Sequence, residues 1–370
     1  MSWMVPKRML DNDQRKAIDF AIQGDNCFIC GDPGTGKSIV LAHIALEYKI
    51  MHPEAKVCVL TYTNALVACL EEGITDDGIP VMNFNKFMSK RGGDKFDLVL
   101  IDEAQDLQPD WAERILKLGN KFVLFGDLAQ SIYGLGGVRI TEEQLKATFQ
   151  VRAVIPLCVD YRLPRNHREL VQAIYPDRTF ASRIWRLMAN AQIPLYHAVN
   201  WDEEMSFVVQ KAKNHAVVGR PVAILFEQKR SIFRFMYTIL GADYGEKVDL
   251  KKVNDDLREK GIPFRFLGNG VGDLKEGDEK PLTYVMTWHS SKGLDFETVL
   301  LPDLGRSTCR CNPFYVALTR ARRNLVLSYS GRGNIQIEKA IGCKCVCPIS
   351  TDRTGKISPT HIGYQQGTLF

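Results

Sequence analysis

Short apolar runs that end abruptly on polar residues recur along this chain, with longer amphipathic stretches between them. Residues 28–30 (FIC), Phe96 to Ile101 (FDLVLI) and the start of 121–134 (KFVLFGDLAQSIYG) are of this kind, and so are 222–227 and 283–288. A continuous apolar run bounded by polar or turn residues fits a strand buried on both faces, as in a parallel sheet. Ser38 to Tyr48 (SIVLAHIALEY) has helical spacing instead, and 220–232 pass from a strand into a helix. Residues 253–268 (VNDDLREKGIPFRFLG) read as helix, Gly-Ile-Pro turn and strand. Strands alternating with helices predict an α/β fold. A chain of 370 residues has room for two domains with separate cores. Their expected bounds are 1–150 and 151–330, followed by a glycine-rich, polar tail over 331–370. Neither an internal repeat nor a low-complexity segment interrupts the pattern.

Composition changes this picture little. Hydrophobic residues at 45% and charged residues at 25% are ordinary for a soluble globular chain. No stretch approaches the roughly 18–20 apolar residues of a membrane span, and MSWMVPKRMLDNDQ lacks the apolar core of a secretory signal. A cytoplasmic protein without a membrane partner is the expectation. The net charge of +5 suits a partner rich in phosphates without requiring one. Ten cysteines in a reducing compartment are expected as thiols. Half of them, Cys309, Cys311, Cys343, Cys345 and Cys347, crowd one stretch. C-x-C and C-x-C-x-C are not the C-x₂-C hooks of zinc sites, so thiols are favoured over zinc.

Candidate chemistry begins at Gly31-Asp-Pro-Gly34-Thr35-Gly36-Lys37-Ser38, a full GxxxxGK[ST] match between an expected strand and an expected helix. Glycines let backbone N–H groups turn inward around a β-phosphate at the positive end of the helix. Lys37 is expected to reach the β- and γ-phosphates, and the Ser38 hydroxyl to ligate Mg²⁺. A second element, FDLVLIDEAQDL, places Asp102 and Glu103 at the end of an apolar strand. Adjacent carboxylates there are costly unless a cation or substrate needs them. Asp102 is the candidate Mg²⁺ ligand, and Glu103 the group that orients or deprotonates the attacking water. Gln130, in GDLAQSIYG, carries an amide suited to sensing a γ-phosphate.

Taken together, DEAQD and GDLAQSIYG resemble the motifs of superfamily 1 helicases of the UvrD/Rep type, and further motifs follow in order. LDNDQRKA resembles the adenine-reading segment, with Gln14 toward the base. LTYTNAL resembles the motif whose backbone and Tyr62 meet single-stranded DNA. CVDYRLPRNH resembles the motif in which Tyr161 stacks on adenine and Arg162 reaches the γ-phosphate. VMTWHSSKGLDFETVLLP resembles the long motif linking DNA and nucleotide, and carries Gly293 and Asp295. NPFYVALTRARRNLVL closes the set with Arg320 as a second arginine finger. The resemblance spans roughly residues 8–330. It implies two RecA-like lobes hydrolysing ATP with Mg²⁺ between them and moving along single-stranded DNA, 3′ to 5′ in this branch. Lys37, Asp102, Glu103 and Gln130 would act from the first lobe, Arg162 and Arg320 from the second. The implied strand contacts are Thr61, Tyr62, Asn64, Trp288, His289 and Ser291. Packing between lobes is the alternative for Trp288 and His289. Arg165, Arg168 and Arg183 are expected on phosphates or on a solvated face; FNKF at 84–87 is read as lining the groove or, since Phe84 and Phe87 have helical spacing, as core, the reading favoured here. RNA remains an alternative substrate, since a grip on the backbone ignores base identity.

Three departures bear on function. The gaps at 67–95 and between 227 and 283 leave no room for the accessory subdomains of larger relatives, so the motor is a minimal one. In SIYGLGG, Leu135 and Gly136 stand where relatives often have an aromatic residue and an arginine that grip a base. Stacking is worth ~1–3 kcal/mol per base, so this loss favours an alternative in which the fold is an ATP-dependent switch or an accessory subunit of a nuclease or repair complex. Finally, Gln366-x-x-Leu369-Phe370 resembles the peptide by which replication and repair proteins dock onto bacterial sliding clamps. Docking of Leu369 and Phe370 on the protein's own surface is the other reading. Family and tail together imply a bacterial or phage origin.

Overall fold

A computed structural model describes residues 4–89, 95–127, 140–177, 180–184, 192–241, 249–268, 270–308, 311–351 and 357–359. The first sheet contains β1 (Cys27–Cys30), β2 (Val57–Thr61), β3 (Val81–Asn83), β4 (Phe96–Ile101), β5 (Gly119–Gly126) and β6 (Ala153–Pro156). Their order is β3-β2-β4-β5-β1-β6, and every pair is parallel. Helices cover both faces, which is why the strands read as unbroken apolar runs. Val57, Val59, Leu98 and Leu100 enter one core, while Cys58, Leu60, Val99 and Ile101 enter the other. Phe84 and Phe87, on the short helix Phe84–Ser89, are buried in that second core as their spacing predicts.

A small parallel pair, β7 (Val159–Asp160) and β8 (Arg183–Ile184), leads into the second lobe. Its sheet comprises β9 (Ile193–Ala198), β10 (Val222–Phe226), β11 (Phe264–Phe266), β12 (Thr283–Thr287), β13 (Phe296–Leu301), β14 (Ala321–Ser330), β15 (Val346–Thr351) and β16 (Ile357–Pro359). The order is β11-β12-β10-β13-β14-β9-β15-β16, parallel except for the closing pair β15–β16. Alternate residues again part to two cores: Ala223 and Leu225 to one, Val222, Ile224 and Phe226 to the other.

Two expected boundaries shift. β6 pairs with β1, so the first sheet continues past residue 150, and Leu157 still packs into the first lobe. The helix Arg165–Ile174 belongs to the second lobe, through Leu170, Val171 and Ile174. The stretch expected as a tail is partly sheet. β15 pairs with β9, and Ile337 and Ala340 of the helix Ile335–Ile341 pack into the second lobe. Cys345 is buried in that same core, which pushes its thiol pKa up. Among the described residues no cluster of three or more His, Cys, Asp or Glu is placed to hold a metal ion, and no helix is long and apolar enough to cross a membrane. Gln130, Leu135, Gly136, Cys309, Gln366, Leu369 and Phe370 lie outside the described residues.

Candidate functional site

β1 ends at Cys30 and the helix Lys37–Met51 starts after Gly36, so Gly31 to Gly36 make the turn between them at the carboxyl end of the sheet. Ligands of open α/β sheets sit at that end. Gly34 has φ +86°, and a Cβ there would lie 2.2 Å from Asp160 Oδ1. Glycine is therefore required by conformation and by space alike. Lys37 Nζ folds back onto the loop, donating to the carbonyls of Gly31 at 2.6 Å and Asp32 at 3.1 Å. The Thr35 side chain is buried, and its hydroxyl donates to Asp32 O at 2.9 Å.

Gln14 braces this loop from beneath. Its Nε2 donates to Thr35 O at 3.1 Å, while its Oε1 accepts the Asp11 amide at 3.1 Å in a capping box of the helix Asn12–Gln23. Both ends of the carboxamide are engaged and the residue is 3% exposed. Gln14, expected at the adenine, thus sits directly beneath the phosphate loop, with one N–H and one lone pair of its carboxamide still open. Tyr161 also touches the loop: its amide donates to Gly34 O at 3.0 Å and its hydroxyl to Asp11 Oδ2 at 2.5 Å.

Asp102 and Glu103 cap β4 as a buried pair. Glu103 takes φ +54°, a left-handed conformation that non-glycine residues adopt rarely and at some cost in strain. Burial and the neighbouring Glu103 charge raise the pKa of Asp102. Burial alone would also raise Glu103, but Lys292, Lys37, a hydrogen bond from Gln105 and Arg320 outweigh it, leaving its pKa below the usual value. Gln105 ties this carboxylate to β5: its Nε2 donates to Glu103 Oε2 at 2.5 Å, and its Oε1 accepts the Asp127 amide at 3.1 Å. The Ser38 hydroxyl and the Asp102 carboxylate are hard oxygen donors suited to Mg²⁺. A cation would offset the charge that burial penalises at Asp102.

The second lobe closes a cavity of about 470 Å³ over this loop, and Lys37, Ser38, Glu103, Arg162, Asp295 and Arg320 all line it. Arg162 Nη1 approaches Asp295 Oδ2 at 3.4 Å, and Arg322 Nη2 donates to Asp295 Oδ1 at 2.7 Å. Burial works against that carboxylate, yet the two arginines hold its pKa low. Arg320 is 2% exposed and rigidly held, donating to Val316 O, Leu294 O and Thr319 Oγ1 at 2.9, 3.1 and 3.1 Å. Burial, reinforced by Arg162, lowers its pKa to about 10. Gly293 marks the contact between the lobes, since a Cβ there would lie 2.4 Å from Leu66 Cδ2 of the first lobe.

A second and larger cavity, about 770 Å³, also opens between the lobes. Tyr62, Asn64 and Asn83 line it from one side; Lys229, His289 and Ser290 from the other. Tyr62 packs against Phe84 and Trp111, with centroids 5.7 and 6.2 Å away, and burial raises its phenol pKa to about 12. Asn64 accepts a hydrogen bond from Asn83 at 2.5 Å.

Three expected strand contacts are not available to a strand. Trp288 is fully buried, donating through Nε1 to Leu225 O at 3.1 Å and packing on Phe314. Ser291 is fully buried as well, its hydroxyl donating to Trp288 O at 2.8 Å. Residues 287–292 form a helical turn, closed by the Ser291 amide on Thr287 O. Positions 288 and 291 therefore share the inward face, leaving His289 and Ser290 outward. Thr61 is fully buried at the end of β2. Arg168, expected on a phosphate or in solvent, is instead a buried partner of Asp160 at 2.7 Å.

Other residues of the site escaped sequence reasoning. Lys292 lies within a quoted motif, and its pairing with Glu103 and Asp106 across the lobes carries no local signal. Asp32, Ser182 and Asp160 are ordinary polar residues until the fold joins them. Arg322 could have been found from the LTRARR cluster that supplied Arg320.

Two family models match the chain: an AAA domain over residues 14–135 and a UvrD-like helicase C-terminal domain over 282–328. The first takes in the loop at 31–38 with Asp102 and Glu103, the second His289, Lys292 and Arg320. No curated protein matches the chain in sequence. Among solved structures, the arterivirus nonstructural protein 10 helicase is similar at 16% identity and a TM-score of 0.43, covering 85% of this chain and 61% of its own. A complex of that protein with DNA gives 16% and 0.45, covering 88% and 65%. The PRRSV helicase gives 14% and 0.47, covering 87% and 56%. The chain thus spans about three-fifths of the length of these structures.

Proposed function

We propose that this chain, whose motifs and matched domains resemble those of UvrD/Rep-like superfamily 1 helicases, is an ATP-hydrolysing motor that moves along single-stranded nucleic acid. The observation that carries the reading is the shared cavity. Lys37, Ser38 and Glu103 reach it from one lobe, Arg162 and Arg320 from the other. Bound Mg²⁺, held by Ser38 and Asp102, would neutralise phosphate charge. Lys37 exchanges the loop carbonyls for phosphate oxygens. Glu103, kept ionised by Lys292 and Lys37, orients the attacking water and accepts its proton. Arg162 and Arg320 answer the charge that develops on the transferred phosphoryl group, a contribution of about 10³–10⁵ in rate for such fingers. Loss of that charge removes one of the attractions between the lobes, which Lys292–Asp106 and Ser182–Asp32 also join, so each hydrolysis shifts their balance and with it the groove lined by Tyr62, Asn64 and His289.

DNA is the preferred strand and 3′ to 5′ the direction, both resting on the sequence resemblance. A second reading, an ATP-dependent switch for a nuclease or repair partner, draws support from the groove, where Trp288 is unavailable for stacking. Steady-state ATP hydrolysis with and without single-stranded DNA separates the two. Strong stimulation that weakens with salt, as phosphate contacts must, supports the motor. Hydrolysis indifferent to DNA favours the switch, and turnover surviving in Lys37→Ala overturns the site itself.

A further inference from the structure

Among the described residues the phosphate loop meets the second lobe at Gly34, through the Tyr161 amide, and at Asp32, and the Asp32 contact continues as a hydrogen-bonded chain. Ser182 donates its amide and its hydroxyl to Asp32 Oδ2 at 2.7 and 2.6 Å. Arg168 donates in turn to Ser182, through Nη2 to Oγ at 2.7 Å and through Nη1 to the carbonyl at 2.5 Å. The same guanidinium grips Asp160 Oδ2 through Nε at 3.2 Å and Nη2 at 2.7 Å. The other Asp160 oxygen accepts the backbone amides of Arg162 at 2.8 Å and Leu163 at 3.1 Å. The chain therefore runs from the second residue of the phosphate loop to the backbone of a candidate arginine finger.

Its surroundings make it stiff. The Asp160 side chain is fully buried, Arg168 is nearly so, and the Arg168 guanidinium lies 4.6 Å from the Phe180 ring centroid. Two acids and one base in series give charge-assisted bonds, stronger and more directional than neutral ones. A buried network with every member engaged fixes one geometry. Asp32 also stands where the loop meets the catalytic lysine, because its carbonyl accepts Lys37 Nζ at 3.1 Å. The Arg162 guanidinium, by contrast, makes only one long contact, to Asp295 at 3.4 Å, and its Nε has no partner among the described residues. What aims Arg162 is thus its backbone, and the backbone is held through Asp160.

We propose that Asp32, Ser182, Arg168 and Asp160 form a positioning relay that sets Arg162 against the phosphate loop, so that the finger is in place only when the second lobe holds Asp32. None of the four is assigned contact with the reacting atoms. The relay rests on the reading of the cavity as an ATP-hydrolysing site.

A double-mutant cycle tests it on the full chain, with ATP as substrate and a fluorescent ATP analogue for equilibrium binding. Ser182→Ala removes the hydroxyl link. The relay predicts a fall in kcat of about tenfold with analogue affinity within about twofold, since the bond serves only the transition state. Ser182→Thr, which keeps the hydroxyl, is expected to restore most of the rate. In an Arg162→Ala background, Ser182→Ala should cost nothing further, because residues acting as one unit are non-additive. Asp32→Ala, which removes the acceptor of both Ser182 bonds, should show the same dependence on Arg162, so misfolding of one variant leaves the test intact. Equal losses with and without Arg162, or a Ser182→Ala enzyme with wild-type kcat, overturn the relay and leave the reading of the site standing. A wild-type protein whose hydrolysis is no greater than that of Lys37→Ala overturns both.

Discussion

Lys292 of the second lobe and Asp106 of the first form an ion pair from which water is excluded, with side chains 1% and 0% exposed. The same ammonium lies 3.5 Å from Glu103 Oε2. One lysine thus joins the lobes and, with Lys37, Gln105 and Arg320, favours the ionised form of the candidate general base.

Removing that charge takes from Asp106 its buried ion-pair lysine and from Glu103 one of the cations that face it. Breaking one side of a buried pair costs about 3–5 kcal/mol, whereas replacing both partners by apolar groups is often neutral. Lys292→Met should therefore lower the denaturant midpoint sharply, and Lys292→Met with Asp106→Leu should recover much of the loss. A single variant as stable as wild type would mean that the pair does not form in solution.

Lys37→Ala addresses the loop. The loop's shape rests on its backbone and on braces from Gln14, Tyr161 and Ser182, all of which remain when the two Lys37 contacts to loop carbonyls are removed. The variant should melt near the wild-type temperature while hydrolysis falls to background. A variant that unfolds would mean that the two Lys37 contacts to loop carbonyls are structural.

Arg320 is held by three acceptors of its own lobe, so a second cation on a flexible stem cannot take its place. Arg320→Lys should cut turnover by about 10³ or more, the range of arginine fingers, with a much smaller effect on ATP affinity. Turnover and affinity falling together would argue that the arginine serves ground-state binding.

Strand-level organisation was legible because burial on both faces writes itself as apolar runs: β4, β10 and β12 fall where the runs predict them. The phosphate loop was legible because the chemistry demands fixed residue types at fixed spacing. Other features depend on contacts distant in sequence. Whether Trp288 faces a groove or a core depends on which side of a single turn the sheet packs. Arg168 looked like a surface cation until the fold set Asp160 and Ser182 around it. The strand β15 follows a glycine-rich stretch and was missed, its pairing partner lying about 150 residues earlier.

His167 provides a pH test of the helix that carries the relay. It is 1% exposed, and burial lowers its pKa from 6.5 to about 4. In the unfolded chain the imidazole takes up a proton near its ordinary value, while the native protein resists until about 4. The unfolded state therefore binds more protons across that window. His167 contributes stability that is fully present above pH 6.5 and is lost as pH falls toward 4, up to about 3 kcal/mol. His167→Leu cannot titrate, so its stability should fall less between pH 7 and pH 4.5 than that of wild type, whatever the difference at pH 7. Denaturant midpoints at several pH values measure this, and parallel acid limbs for the two proteins would show that other groups govern the loss. Because His167 shares its helix with Arg168, charging it should also loosen the hold on Asp160, so hydrolysis should decline on the acid side before the fold does.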